Sequence, residues 1–129
     1  MGLDQYAYVV KKKKDLQDIY DNDAKTRPFI VNNDFAYWRK NYELHDWMFE
    51  LAKKKGFNGS DREFNCVMVR LGKRDIQDLI KSIKSREFNE ERYYDHEVFD
   101  MDTEKDLNFC GQALRMFEEG FAVYYDSWW

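Results

Sequence analysis

The chain contains two histidines, so any imidazole that acts as an acid, a base or a metal ligand must be one of them. His45 lies on the apolar stripe of a predicted helix, close in sequence to Trp38 and Arg39. A histidine in such a position usually lies at the edge of the core with its ring nitrogens hydrogen-bonded. We favour that interpretation, and a role of His45 in a ligand pocket is the alternative.

The second histidine belongs to an acidic segment without a recognisable cation site. His96 lies among Asp95, Glu97, Asp100 and Asp102. The twelve-residue calcium loop needs a central glycine and a bidentate glutamate at its end, and this spacing does not fit it. The sequence therefore predicts a solvated acidic loop here and no metal site.

Two aspartates occupy predicted strands that otherwise carry apolar side chains. If the strands of Asp4 and Asp126 are neighbours, the two carboxylates can approach each other and Arg39. The alternative is that both aspartates hold strand ends and turns, as this residue type often does. Trp38 and Arg39 likewise fit either an indole anchor beside a solvent-facing cation, or a pocket wall with an anion clamp.

Motifs of familiar enzyme chemistry are absent from the sequence. It contains no phosphate-binding glycine loop, no nucleophile elbow around a serine, no Cys-x-x-Cys pair and no His-Glu-x-x-His helix. We therefore predict no catalytic residues and no cofactor.

Chain length and composition limit the number of domains and the classes of partner that we expect. A chain of 129 residues is long enough for one core, so residues 1–129 are interpreted as a single domain. The formal net charge of −4 disfavours nucleic acid, and the lysine run 11–14 most simply marks a solvated strand end. Two cysteines in apolar segments do not make a disulfide framework. No stretch approaches the roughly 20 apolar residues of a membrane helix, so we expect a cytoplasmic protein without a membrane partner.

The first half of the chain predicts one strand and one long helix. Residues 1–10 alternate as in a strand. The residues of one face are Leu3, Gln5, Ala7 and Val9. Residues 11–33 lose that period and are interpreted as a long surface loop. From Asp34 to Lys55 apolar side chains recur every three or four residues, which predicts a helix that ends at Gly56.

The second half predicts strands separated by helices. Residues 64–71 fit a strand in which Val67, Val69 and Leu71 share a face, and a helix follows Gly72. Residues 85–101 are irregular, a last helix runs from residue 102 or 103 to Gly120, and residues 121–126 alternate as a closing strand. The predicted fold class is α+β, a small, mostly antiparallel sheet of about three strands covered by about three helices. We expect both terminal strands to be central and to pair with each other or flank a common neighbour.

The closing stretch FAVYYDSWW carries aromatic residues relevant to binding. Its alternation places Tyr125 on the buried face together with Val123. Trp128 is interpreted as core, a lid on the long helix near Trp38. Trp129 is the tryptophan that we expect at a partner surface.

Three stretches resemble a family of small proteins that are mostly encoded by bacteriophages, notably marine cyanophages. The stretches are MGLDQYAY, AYWRKNYELHDWM, and the DLNF segment that leads into FAVYYDSWW, so the resemblance covers nearly the whole chain in order. The family is uncharacterised, and the resemblance implies a phage origin without implying an activity. Some members carry a phosphoglycerate kinase label, which we interpret as an error because that enzyme uses two domains.

The family pattern matches this chain at Gly2, Leu3, Asp4, Tyr37, Trp38, Arg39, Lys40, His45, Trp47, Tyr125, Ser127 and Trp128. The chain departs from the pattern in one loop and near its last residue. Many relatives have Gly-Phe-Phe-Phe-Gly before the last helix, where residues 92–96 of this chain contain no glycine. Trp129 follows the family's usual final tryptophan.

Two functions fit these observations. The first is a non-enzymatic binding module that acts on a host or viral protein during infection, since the chain is small, lacks catalytic motifs and is 18% aromatic. The candidate binding residues are Asp4, Trp38, Arg39, His45, Tyr125, Asp126, Trp128 and Trp129. The alternative is a small-ligand-binding protein or enzyme with a pocket around Asp4, Trp38, Arg39 and His45. A homo-oligomer is compatible with either function.

Overall fold

The computed structural model describes residues 2–21, 27–85 and 96–129, with residues 96–100 described by their backbone only. These residues form an α+β fold of five strands and three helices. The strands are β1 (Asp4–Lys11), β2 (Ile19–Tyr20), β3 (Ile30–Arg39), β4 (Met68–Leu71) and β5 (Phe121–Trp128). The helices are α1 (Tyr42–Lys54), α2 (Lys73–Lys84) and α3 (His96–Glu118).

All five strands belong to one antiparallel sheet, in the order β2-β4-β5-β1-β3. β1 and β5 pair along their full length, from Asp4 opposite Trp128 to Lys11 opposite Phe121. The prediction that both terminal strands are central and pair with each other is confirmed. The predicted number of about three strands is too low, because β2 has only two residues and β3 lies where the sequence predicts loop and helix.

β3 occupies part of the segment to which aromatic spacing assigns a helix. The helix predicted over Asp34–Lys55 begins only at Tyr42, so the prediction is wrong for its first eight residues. The register between β1 and β3 is irregular, which indicates a bulge in the middle of β3. As a result Phe35 and Trp38 both contact Phe109 of α3, with ring centroids 5.9 and 4.9 Å apart. Apolar residues three positions apart that face the same side are also typical of a helix. This similarity explains why the sequence predicts a helix over residues 34–41.

The chain turns from β3 into α1 through two residues. Lys40 adopts a left-handed backbone with φ of 57°, and its N–H donates to the carbonyl of Leu3. Asn41 then caps α1, because its side-chain oxygen accepts a hydrogen bond from the N–H of Leu44 at 3.2 Å. The helix ends before Gly56, whose φ of 108° suits glycine, so the predicted end is confirmed.

α3 begins earlier than the sequence predicts. It starts at His96, so the segment predicted as irregular over residues 85–101 is helical from residue 96 onward. Residues 86–95 of that prediction lie outside the described residues. Asp100 and Asp102 therefore belong to a helix, and the prediction of an acidic loop is wrong for them. Gly120, with φ of 89°, follows the helix at the predicted stop.

The helices all pack on one face of the sheet, here named the covered face, where the main core forms. Its sheet residues are Ala7, Trp38, Val69, Leu71, Val123 and Tyr125. The opposite face, named the open face, is covered in part by described residues between β1 and β3, among them Leu16 and Tyr20. The small cluster there contains Val10, Tyr20, Met68, Ala122 and Tyr124. Val67, Val69 and Leu71 all belong to the main core, but β4 begins only at Met68, so the strand predicted over residues 64–71 starts too early. None of the described helices is long and apolar enough to cross a bilayer.

Candidate binding surface

The sheet divides the predicted site residues between its two faces. The open face carries Asp4, Arg39, Asp126 and Trp128. The covered side carries Trp38, Tyr125, Trp129 and, on α1, His45. The structure therefore does not bring together the four residues of the predicted pocket, because the strand alternation separates Asp4 and Arg39 from Trp38.

Three side chains of the open face form a row across the central strands. Asp4 of β1 lies opposite Arg39 of β3 and, on its other side, opposite Trp128 of β5. Side chains directly opposite each other in antiparallel strands are close enough to interact. The neighbourhood of Asp4 and Arg39 that the sequence suggests is therefore present.

Tyrosines extend this row into a larger surface. Tyr6 lies opposite Tyr37 with ring centroids 5.3 Å apart, and Tyr8 follows at 6.3 Å from Tyr6. The Tyr37 hydroxyl donates to Oδ1 of Asp4 at 2.7 Å, and this hydrogen bond raises the pKa of Tyr37. We name the combined surface the aromatic strip, and its residues are Asp4, Tyr6, Tyr37, Arg39 and Trp128.

The aromatic strip is exposed to solvent at its large side chains. Trp128 is 61% exposed and Tyr37 is 42% exposed. The ammonium of Lys105 lies 5.8 Å from the centre of the Tyr37 ring, which is a cation–π distance. Among the described residues Arg39 forms no ion pair. The strip therefore presents two large rings and a cation to solvent.

Asp126 lies one row further along and does not join Asp4 at a shared site. Its carboxylate accepts hydrogen bonds from Tyr8 at 2.8 Å and from Arg27 at 3.0 Å. Burial raises the pKa of Asp126, and the bonds from Tyr8 and Arg27 oppose that rise. Burial, together with the nearby Asp126 charge, also raises the pKa of Tyr8. Arg27 was not a predicted site residue, because it lies in the segment interpreted as a loop.

The structure places the two final tryptophans in different environments. Trp128 is exposed on the open face, so its interpretation as a core lid near Trp38 is wrong. Trp129 is half-buried on the covered side, with its ring 5.1 Å from His45, and its backbone exchanges two hydrogen bonds of 3.1 Å with Asn65. The alternation of β5 fixes this outcome, since it turns Trp128 to the same face as Asp126.

A buried polar network lies on the covered face below the strip. Gln5 donates to the hydroxyl of Tyr125 at 3.0 Å and accepts from the backbone N–H of Asn41 at 2.8 Å. The Asn41 amide donates to Asp106 of α3 at 3.0 Å. Nδ1 of His45 lies 3.4 Å from the Tyr125 hydroxyl, in agreement with a hydrogen-bonded histidine at the core edge.

Asp106 is the carboxyl group of this network and is 1% exposed. Burial raises its pKa to about 7, while the hydrogen bond from Asn41 opposes that rise. Two features of the sequence point to this network. Gln5 is a polar residue at a core position of β1, and Asp106 lies four residues before Cys110 on the apolar stripe of α3.

The arrangement on the open face is suited to binding. It combines aromatic contact area with a guanidinium and a carboxylate, held on the neighbouring strands β5, β1 and β3 of one sheet. Within the part of the chain that the structure describes, no group of three His, Cys, Asp or Glu side chains could hold a metal ion. No protein-family model matches the chain, and no curated protein or solved structure matches it.

Proposed function

We propose that the protein is a non-enzymatic binding module that docks another protein on its aromatic strip. The observation that supports this proposal is the 61% exposure of Trp128, which is the last residue of the central strand β5. Tryptophan, tyrosine and arginine are the residue types that contribute most to protein interfaces, and the strip combines all three.

The side chains of the strip are held in place before a partner binds. Trp128 and Asp4 belong to the central strands β5 and β1, and Tyr37 is fixed by its hydrogen bond to Asp4. Side chains that are already ordered lose little conformational entropy when a partner binds. A rigid aromatic surface therefore gives more of its contact energy to affinity than a mobile loop gives.

A protein partner agrees with the charges of the strip better than nucleic acid does. Asp4 and Arg39 place a negative and a positive charge side by side, and the whole chain carries a net charge of −4. A phosphate backbone favours a surface with an excess of lysine and arginine. Charges of both signs suit the mixed surface of a protein.

The phage resemblance narrows the partner to a host or viral protein that the module meets during infection. The proposed place of action is the host-cell cytoplasm. No ligand, cofactor or metal is required for this function, because contact area and hydrogen-bonding groups of the chain itself carry the recognition.

Affinity purification with matched variants tests the proposal. The wild type, Trp128→Ala and Met101→Ala are immobilised and exposed to infected-cell lysate; Met101 is 68% exposed on α3. We expect one protein to be retained by the wild type and by Met101→Ala, and to be lost from Trp128→Ala. Equal retention by all three proteins would refute the role of the strip. A dimer that forms without lysate and that Trp128→Ala dissociates would assign the strip to a second copy instead.

A further inference from the structure

A concave site lies on the covered side of the molecule, away from the aromatic strip. It is a cavity of about 280 Å³ between the start of α1, residues 61 and 62, and the side chain of Trp129. Its lining residues are Leu3, Tyr42, His45, Asp46, Phe49, Asp61, Arg62 and Trp129. Nothing in the proposed protein-binding function uses this cavity.

Part of the cavity wall is apolar, and its aromatic rings are held in place by contacts with their neighbours. Phe49 packs against Phe64 with ring centroids 5.4 Å apart. Trp129 lies edge-on to His45, and both of its backbone hydrogen bonds go to Asn65. A concave apolar site that is largely formed before a ligand arrives is typical of small-molecule binding.

Two opposite charges lie side by side at the rim. Asp61 and Arg62 are consecutive exposed residues, and neither forms an ion pair among the described residues. Their turn is fixed by Ser60 and Glu63, because the Ser60 N–H donates to Glu63 Oε1 at 3.0 Å and the Glu63 N–H donates to Ser60 Oγ at 3.3 Å. The turn therefore presents one carboxylate and one guanidinium to the same small space.

We propose that this cavity binds a small zwitterion with an apolar side chain, that is, an α-amino acid of about leucine to phenylalanine size. Arg62 contacts the carboxylate of the ligand, since a guanidinium matches a carboxylate with two parallel hydrogen bonds. Asp61 contacts the ammonium group, and Asp46 adds a second carboxylate to that side of the lining. Phe49 and Trp129 contact the apolar side chain.

The combination of groups favours a zwitterion over a simple cation or anion. A cationic ligand would leave Arg62 facing it as a like charge, and an anionic ligand would face Asp61 and Asp46 in the same way. A ligand with both charges pairs each of them, and its side chain occupies the apolar wall. The apolar wall also separates this class from small polar zwitterions.

Titration calorimetry with three probes tests the proposal. The probes are L-phenylalanine, 2-phenylethylamine, which lacks the carboxylate, and 3-phenylpropanoate, which lacks the ammonium group. We expect phenylalanine to bind the wild type about tenfold more tightly than either fragment, because each fragment loses one charge-assisted hydrogen-bond pair. Absence of binding by phenylalanine, or equal binding by a fragment, would overturn the proposal.

Variants then assign the two charges. Arg62→Gln should weaken phenylalanine binding about tenfold and leave 2-phenylethylamine unchanged, whereas Asp61→Asn should weaken phenylalanine and leave 3-phenylpropanoate unchanged. Arg115→Gln, an exposed residue of α3, is the control and should bind like the wild type. Identical affinities in all variants would overturn the assignment. Trp128→Ala should bind phenylalanine normally, so this site and the aromatic strip can fail independently.

Discussion

The two faces of the sheet are built from the same strands but treat polar and aromatic side chains in opposite ways. On the covered face Trp38 is packed, and Gln5 belongs to a closed hydrogen-bond network with Tyr125. On the open face Trp128 and Tyr37 remain in solvent. Tyr37 and Trp38 are neighbours in β3, yet one ring is exposed to solvent and the other is packed in the core. The difference shows that a high aromatic content does not by itself identify a core, because alternation decides which rings are buried.

The largest expected contrast is between the two tryptophans. Trp38→Ala should lower the free energy of unfolding by about 3 to 5 kcal/mol, because it leaves a large cavity between β3 and α3. Trp128→Ala should change it by no more than about 0.5 kcal/mol, because the side chain is mostly exposed. Urea unfolding followed by circular dichroism measures both values. Similar losses in the two variants would contradict the division between the faces.

The second test is the pH dependence of stability, which depends on the carboxyl group of Asp106 in the covered-face network. Its pKa is raised to about 7 in the folded chain, so the folded protein retains a proton that the unfolded chain releases near its ordinary pKa of about 3.9. The unfolding free energy should therefore fall as pH rises from about 4 to 7, by an amount on the order of 4 kcal/mol at most.

Asp106→Asn removes that ionisation and should flatten the decline. Unfolding measured from pH 3.5 to 8 should show the variant with stability similar to the wild type at the acidic end, and more stable than the wild type at the alkaline end. A wild type and variant that differ by a constant amount at every pH would contradict the assignment to Asp106. A residual slope in the variant is expected from Asp126, whose pKa is also raised.

The polar network of the covered face should be more sensitive to truncation than an exposed amide. Asn41→Ala removes the cap of α1 and the donor to Asp106, and should cost about 2 to 3 kcal/mol. Asn33→Ala, at an exposed position of β3, is the matched control and should cost less than about 0.5 kcal/mol. Thermal unfolding at constant pH distinguishes the two. Equal losses would show that the network contributes little.

The smallest expected contrast is between two phenolic hydroxyls. Tyr125→Phe leaves Gln5 without one buried acceptor and should cost about 1 to 2 kcal/mol. Tyr37→Phe removes an exposed hydrogen bond to Asp4 and should cost about 0.5 kcal/mol or less. Chemical denaturation with replicate titrations can resolve that gap. A larger loss for Tyr37→Phe would mean that the strip is held by more than packing of its rings.

β1 could be predicted because most of its length alternates between buried and partly exposed side chains. The pattern of Leu3, Gln5, Ala7 and Val9 identifies the buried side of β1, and all four are buried. β3 could not be predicted in the same way, since its bulge disturbs the alternation and imitates helical spacing. Its strand conformation depends on pairing with β1, which is a contact that local spacing does not reveal.

The candidate site was predictable in its residue types and not in its arrangement. Asp4, Arg39 and Trp128 were all singled out from the sequence, and the registers of β1 with β3 and β5 place them in one row. The register is a long-range property, and a shift of one residue would turn each side chain to the other face. That sensitivity also explains why Trp128 lies on the open face and not, as the sequence predicts, in the core.

The position of β5 has a consequence for how the chain folds. β5 is the strand that joins β4 to β1, and its partners in β1 lie far away in sequence; Gln5 and Tyr125, for example, are 120 positions apart. Without β5 the strand order leaves two separate pairs, β2 with β4 and β1 with β3. The edges of β4 and β1 that β5 occupies are then unpaired. Closing so long a loop is slow, and open strand edges attract other chains during the delay. Folding speed and resistance to aggregation therefore depend on the segment that also supplies Trp128 to the surface.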